Sequence, residues 1–289
     1  MTDLPPGPAT GPATGPDPAR SFGAVADAYE RARPGYPAEA AEWLTGSGRR
    51  VLELGAGTGK LTEQLLALDH QVVATDPSEP MLRKLTERLP GAPTALAAAE
   101  AIPLPGRSVD AVVSGQAFHW FDLDRALPEI ARVLRPGGEV ALVWNLRDER
   151  IPWVKRLGAL IGTPDQQNDP TNALIGSRLF GYVETRTFRF WHRLDRTSLR
   201  DLVSSRSNVA VMPQTQRDRV LEKVDALYAE YGRGPDGMLM PYETHCYKAV
   251  VRTLAEEEPP TSGSSRSAGT TAGGPEDGGD PDPLLIDFR

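Results

Sequence analysis

The chain has 289 residues, a quarter of them charged, and a formal net charge of −7. No basic run or stripe offsets that acidic balance, which argues against a nucleic-acid partner, because phosphate binding needs clustered lysine and arginine. No run of about 18 apolar residues is present, so no membrane span is expected. The N-terminus also lacks the charged and apolar regions of a secretory signal. Cys246 is the single cysteine. It can form no internal disulfide, and no Cys/His spacing suggests a metal site, so a reducing cytoplasm and no metal are expected.

Residues 1–20, with Gly-Pro-Ala-Thr in tandem, and residues 256–289, rich in Glu, Pro, Ser, Gly and Thr, hold too little apolar side chain for a core. Both read as disordered, although Leu284 to Phe288 form a small apolar patch at the very end. The remainder, 21–255, has the size of one α/β domain. Its first expected element is a helix capped by Ser21, with Phe22, Val25, Ala26 and Tyr29 on one face, ending near Arg33 to Pro37.

Val51 to Leu54 is an apolar, β-prone run that stops at Gly55, Gly57 and Gly59, and a helical stretch from Leu61 to Leu68 follows. A strand, a tight glycine turn and a helix bring backbone N–H groups and a helix N-terminus against a ligand with no Cβ in the way. Doubly wound α/β proteins hold nucleotide-like molecules in this manner. A dinucleotide fingerprint would place its third glycine where Lys60 stands, and no P-loop spacing is present.

Gln71 to Thr75 reads as the second strand, with Asp76 at its end, 17 residues after Gly59 (76 − 59). An acid there is placed to accept from both hydroxyls of a ribose. Alternatively Asp76 or Ser78 caps the next helix, which carries Met81, Leu82 and Leu85. The third strand and its loop span Thr94 to Pro105. Asp110 to Ser114 is a continuous apolar strand of the kind buried on both faces of a parallel sheet. It ends in Gly115-Gln116-Ala117-Phe118-His119-Trp120-Phe121, beside strand one, at the switch point where ligands bind. A helix from about Asp124 to Leu134, a stop at Arg135-Pro136-Gly137-Gly138, and a strand from Glu139 to Asn145 complete this half. Beyond residue 150 the pattern weakens. Expected there are a strand from Thr187 to Leu194, a short helix from Thr197 to Val203, a helix with Val220, Leu221, Val224, Leu227, Tyr228 and Tyr231 on one face before Gly232, and a last strand within Met238 to Val251.

Several of these stretches resemble the class I S-adenosylmethionine-dependent methyltransferases, in particular the type 11-like, small-molecule branch. Glu53-x-Gly55-x-Gly57-x-Gly59 resembles motif I, and Leu134-Arg135-Pro136-Gly137-Gly138 resembles the stop before the fifth strand. Ala99-Glu100 resembles the third signature, with Ala98 where the family carries Asp. His119-Trp120 resembles a pair found after the fourth strand in many small-molecule members, and weaker similarity covers Ser204 to Ser207 and Pro241 to Thr244. The flavour is that of the trans-aconitate-type and ubiquinone- or menaquinone-type enzymes.

The resemblance implies a Rossmann-like fold with a doubly wound, mostly parallel, seven-stranded sheet. It divides 21–255 into N-terminal lid helices (21–45), a cofactor-binding core (46–150) and C-terminal strands and helices (151–255). The implied cofactor is S-adenosyl-L-methionine. Its methionine portion would lie along Gly55, Ala56, Gly57 and Gly59, with Glu53 behind and Ser114 nearby. Asp76 would take the ribose, and Pro77, Met81, Ala99 and Glu100 the adenine. Tyr29, Arg33, Tyr36, Gln116, His119 and Trp120 would face the acceptor, a small molecule.

Methyl transfer from a sulfonium is an in-line displacement that asks mainly for alignment and exclusion of water. A base is needed only if the acceptor must lose a proton early. His119, whose imidazole titrates near neutrality, is the candidate base; a histidine bonded to the scaffold is the plain alternative. There is no G-x-S-x-G elbow and no triad. The competing functions are a non-catalytic S-adenosylmethionine-binding or scaffold protein, a nicotinamide-dependent oxidoreductase, which the glycine spacing disfavours, and a protein or RNA methyltransferase.

Overall fold

The computed structural model describes residues 33–162, 169–232, 234 and 237–252. The helix expected from Ser21, with Tyr29, and both terminal segments lie outside these residues. A seven-stranded sheet organises the rest, in the order β3-β2-β1-β4-β5-β7-β6. The strands are β1 (Arg50–Leu54), β2 (Gln71–Asp76), β3 (Thr94–Leu96), β4 (Val109–Gly115), β5 (Leu134–Arg147), β6 (Phe180–Leu194) and β7 (Met238–Val251). The first five run parallel, and β7 inserts antiparallel between β5 and β6. The mostly parallel, doubly wound sheet expected from the sequence is therefore present.

Period-two alternation sends side chains of the central strands to opposite faces. Leu52, Leu54, Val112, Val140 and Leu142 pack with Leu127, Ile130 and Val133 of helix α4 (Leu123–Val133). Their neighbours Val51, Ala111, Val113, Ala141 and Val143 pack on the other face. Helices α1 (Ala38–Thr45) and α2 (Lys60–Ala67) cover that face through Ala40, Ala41, Leu44, Leu61 and Leu65. Helix α3 (Glu79–Arg88) seats Leu82 and Leu85 against Ala56 and Ala74. Being buried on both faces is what makes the cores of β1 and β4 read as near-continuous hydrophobic runs.

The fold departs from expectation in three places. The Arg135 to Gly138 stop lies within β5, as an irregularity in which Val109 pairs with Leu134 and Ala111 already with Glu139. Strand β6 starts at Phe180, seven residues before Thr187. Helices α5 (Pro152–Ile161) and α6 (Thr171–Gly176), and the short α8 (Ser207–Ala210), were not expected. Helices α7 (Arg196–Ser204) and α9 (Gln214–Tyr231) match expectation closely. Before Tyr242, over Met238 to Pro241, β7 pairs with β6 alone. Around this projecting end, α5, α7 and α9 build a separate apolar cluster with Leu157, Leu202, Val224, Leu227 and Met240.

Candidate functional site

The turn after β1 is the centre of the site. Gly55, Gly57 and Gly59 all take left-handed backbone, with φ of 69°, 57° and 85°. A side chain would be strained at each. A Cβ at Gly59 would also come within 2.8 Å of the Leu85 side chain, and one at Gly55 would collide with Ala117. The turn is tied to strand β2 by two hydrogen bonds. The Ala56 N–H donates to the Thr75 carbonyl at 2.9 Å, and the Gly57 N–H donates to Asp76 Oδ2 at 2.9 Å.

Asp76 braces the backbone on both sides of the strand end and faces the cavity. Its Oδ1 accepts the Ser78 N–H at 2.8 Å, at the start of α3, while the same carboxylate lines the cavity beside the turn. Burial raises its pKa, and the two backbone N–H bonds oppose that rise. Glu53 lies behind the turn rather than in it. Its Oε2 accepts the Thr62 hydroxyl at 2.6 Å, which braces α2 against β1. Complete burial pushes the Glu53 carboxyl up to about 8, so it is neutral at physiological pH.

The cavity at the carboxyl end of β1 and β4 has a volume of about 310 Å³. That is within the usual size of a small-molecule site. Gly55 and Gly57 form one wall, and Asp76, Pro77 and Met81 the next. Ala97, Ala98, Ala99 and Glu100 form a third, with Gly115, Gln116, Ala117, Trp120 and Phe121 closing the space. Glu100 is held by the Asp122 N–H, which donates to its Oε1 at 2.7 Å. At Ala98 the wall is a methyl group and backbone, as the departure from the family pattern implies. Trp120 is 40 % exposed, so it serves as a wall and not as core. The core aromatic of the 3₁₀ turn Phe118–Trp120 is Phe118, edge-on to Trp144 at 6.3 Å.

Gln116 adopts a left-handed φ of 59°, uncommon for a non-glycine residue. Its N–H donates to the Val143 carbonyl and its side-chain amide to the Asn145 carbonyl, both across to β5. This fixes Gln116 where the cavity meets a second, smaller cleft of about 30 Å³. That cleft is lined by Arg33, Lys60, Arg147, Arg206, Asn145, Tyr36 and Tyr242, among others. Asn145 holds it together: its Nδ2 donates to the Gly35 carbonyl at 2.9 Å, and its Oδ1 accepts the Thr244 hydroxyl at 2.7 Å.

Not every candidate reaches these spaces. Gly59, Ala56, Glu53 and the buried Ser114 support the walls without lining them. His119 lines neither space, and its ring packs on Trp120 at 4.8 Å. Arg33 and Tyr36 line the smaller cleft and not the main cavity. Lys60, Asn145, Arg147 and Phe121 were not singled out from sequence. A legible signal existed for Arg147, a charge ending the stretch Val140 to Leu146, which is apolar but for Asn145. Arg206 and Tyr242 fell within stretches noted for family similarity without a role. Among the described residues no cluster of His, Cys, Asp or Glu suits a metal ion.

This strand order, with a glycine turn and an acid ending the second strand around one cavity, defines the methyltransferase class of doubly wound proteins. Comparison with known sequences agrees. A methyltransferase-domain profile matches residues 52–142. An uncharacterized methyltransferase of Mycobacterium tuberculosis is 44 % identical over 239 residues, covering 81 % of this chain and 97 % of that one. An uncharacterized methyltransferase of Schizosaccharomyces pombe is 35 % identical over 213 residues, covering 70 % and 84 %. A solved structure from Anaeromyxobacter dehalogenans, proposed to be a type II methyltransferase, superposes with a TM-score of 0.56 at 28 % identity over 76 % of this chain and 97 % of its own. The chain belongs to the methyltransferase family.

Proposed function

We propose that the protein transfers a methyl group from S-adenosylmethionine to a small-molecule acceptor. The observation that carries this reading is the cavity of about 310 Å³ in which the glycine turn and the Asp76 carboxylate face one ligand space. Each element suits one part of the donor. Gly55 and Gly57 leave room for close approach to its methionine portion, where a Cβ would intrude. Asp76 keeps lone pairs for ribose hydroxyls beyond those given to Gly57 and Ser78. Pro77 and Met81 on one side and Ala97 to Ala99 on the other form an apolar slot for adenine. The Ala98 position forgoes one side-chain hydrogen bond, worth about 1 kcal/mol. When bound, the donor supplies a methyl group already activated by the sulfonium charge.

The chain's own residues then position the acceptor and exclude water. Trp120 and Phe121 wall the open side, and Gln116 is locked between the two spaces. Among the described residues no histidine lines either space, and His119 stands outside both linings. The reading therefore favours acceptors that reach the site already ionised or that lose their proton to water.

Calorimetric titration with S-adenosylmethionine, S-adenosylhomocysteine and NAD tests this. Binding of the first two, with NAD inert and with at least about ten-fold weakening in Asp76→Ala, is the expected result. Failure of both sulfur compounds to bind would sink the reading, and binding of NAD alone would revive the oxidoreductase.

A further inference from the structure

The smaller cleft beside Gln116 brings four cationic side chains together from four distant parts of the chain. Arg33 precedes α1, Lys60 opens α2, Arg147 ends β5 and Arg206 follows α7. Among the described residues no carboxylate lines this space. Arg147 is the deepest of the four, with its side chain 2 % exposed. Its Nη2 reaches Glu149 Oε1 at 3.2 Å and the Gly162 carbonyl at 3.3 Å. Its buried Nε has no hydrogen-bond acceptor among the described residues. A buried guanidinium N–H left unsatisfied is costly, and native structures rarely tolerate it without a ligand or water to receive it.

The surroundings repeat the pattern. Tyr242 is buried beside Arg147, Arg33 and Arg206, and its phenol feels all three: burial raises its pKa and the three guanidinium charges oppose the rise. Arg33 Nε donates to Ser205 Oγ at 3.2 Å. Arg33, Lys60 and Arg206 each make further interactions of their own. The planar fork of arginine matches a carboxylate with two parallel hydrogen bonds, and Arg147 Nε is the buried donor such a group would satisfy. The cleft is small, about 30 Å³, and suits a compact anionic group such as a carboxylate. Because Gln116 lines both spaces, an anion held here keeps the remainder of its molecule directed at the donor cavity.

We infer that this cleft is the specificity site of the enzyme and that it holds a carboxylate of the methyl acceptor, which is therefore a small organic acid. Arg147 is the buried anchor, Arg206 and Arg33 close around the same group, and Gln116 marks the boundary the acceptor crosses. This rests on the methyltransferase reading and narrows it to acidic acceptors.

The test uses the full chain saturated with S-adenosylhomocysteine. Calorimetry measures binding of succinate, tricarballylate, dimethyl succinate and inorganic phosphate to wild type, Arg147→Gln and Arg206→Gln. The free acids are expected to bind at least about ten-fold more tightly than the ester, and each substitution to weaken them at least about ten-fold while S-adenosylhomocysteine binds within about two-fold of wild type. Retained S-adenosylhomocysteine affinity also shows that the variant is folded. Arg206→Gln, at a half-buried position, covers the case in which Arg147→Gln does not fold. Loss of S-adenosylhomocysteine affinity in folded Arg206→Gln would assign the cleft to the donor's own carboxylate and overturn the proposal. So would ester binding equal to acid binding, tighter binding of phosphate than of the acids, or no acid binding to the protein loaded with S-adenosylhomocysteine. In these cases the methyltransferase reading survives, whereas wild type that binds no S-adenosylhomocysteine removes both.

Discussion

The backbone N–H of Gly57 donates to the carboxylate of Asp76 at 2.9 Å, joining the turn after the first strand to the end of the second. One side chain thus shapes the glycine turn and faces the ligand space. Asp76→Ala leaves the Gly57 and Ser78 N–H groups without their acceptor. It is expected to cost roughly 1–3 kcal/mol of stability as well as the donor affinity discussed above. Urea unfolding of the ligand-free variant measures the first effect separately from the second, and an unchanged midpoint would show that the turn holds its shape without the acid.

Glu53 makes stability depend on pH in a definite direction. Its carboxyl titrates at about 8 in the folded chain against an ordinary value of 4.5. The folded state therefore holds a proton that the unfolded chain releases. The corresponding stability is complete below about pH 4.5 and is lost as pH rises toward 8, at about 1.4 kcal/mol for each unit of separation. Glu53→Gln keeps an acceptor for the Thr62 hydroxyl and carries no such loss. Its stability relative to wild type is expected to rise between pH 5 and pH 8 and then level off. Paired urea melts at pH 5, 6.5 and 8 check this, and a pH-independent difference would contradict the buried neutral carboxyl.

Gly115 allows Tyr36 to pass close to the end of β4. A Cβ there would lie 2.5 Å from the Tyr36 hydroxyl and 3.0 Å from the carbon that bears it. Gly115→Ala is expected to destabilise by about 1–3 kcal/mol, as overpacking commonly does. Combining it with Tyr36→Phe should recover part of the loss, because the hydroxyl is the nearest clash. Additive effects in the double variant, measured by thermal unfolding, would show that the two residues do not share this contact.

Asn145 joins three segments through the Gly35 carbonyl, the Thr244 hydroxyl and the Gln116 amide. Asn145→Ala removes the first two bonds and strands the buried Thr244 hydroxyl, for roughly 1–3 kcal/mol. Thr244→Val in the same chain is expected to cost less than it does alone, with a coupling of about 0.5–3 kcal/mol. A double-mutant cycle by urea denaturation reads the coupling directly. A coupling near zero would mean that water replaces the bond.

The parts of the fold that were legible in advance are those whose signals are local. Strands β1, β2 and β4, the glycine turn and helices α3 and α4 follow from runs and periods within ten or so residues. The early part of β6 escaped because its pairing shifts between Phe180 and Val183, and the alternation breaks there. Leu134 to Gly138 reads as a helix stop, yet it is threaded into β5 as a bulge, with Gly137 at a φ of 79°. For α5 the helical spacing of Val154, Leu157 and Ile161 was present and buries as such spacing should. In the site, Asp76, Pro77, Met81, Ala99, Glu100, Gln116 and Trp120 all reach the cavity, since each stands at or just after the end of a strand. His119 does not, because a single 3₁₀ turn sends Trp120 and Phe121 to the cavity in its place.

What the amino-acid order determined by itself is the repeated unit of strand, turn and helix, and a nucleotide-type turn at Gly55 to Gly59. Those depend on backbone preferences and on periods of two and 3.6, which act between near neighbours. The meeting of Arg33, Lys60, Arg147 and Arg206 around one cleft was decided only by tertiary structure. Those residues lie far apart in the chain, and no local period relates them. They converge because β7 inserts antiparallel between β5 and β6, which carries Tyr242 back beside Arg147, and because Asn145 draws the segment before α1 onto the same strand end.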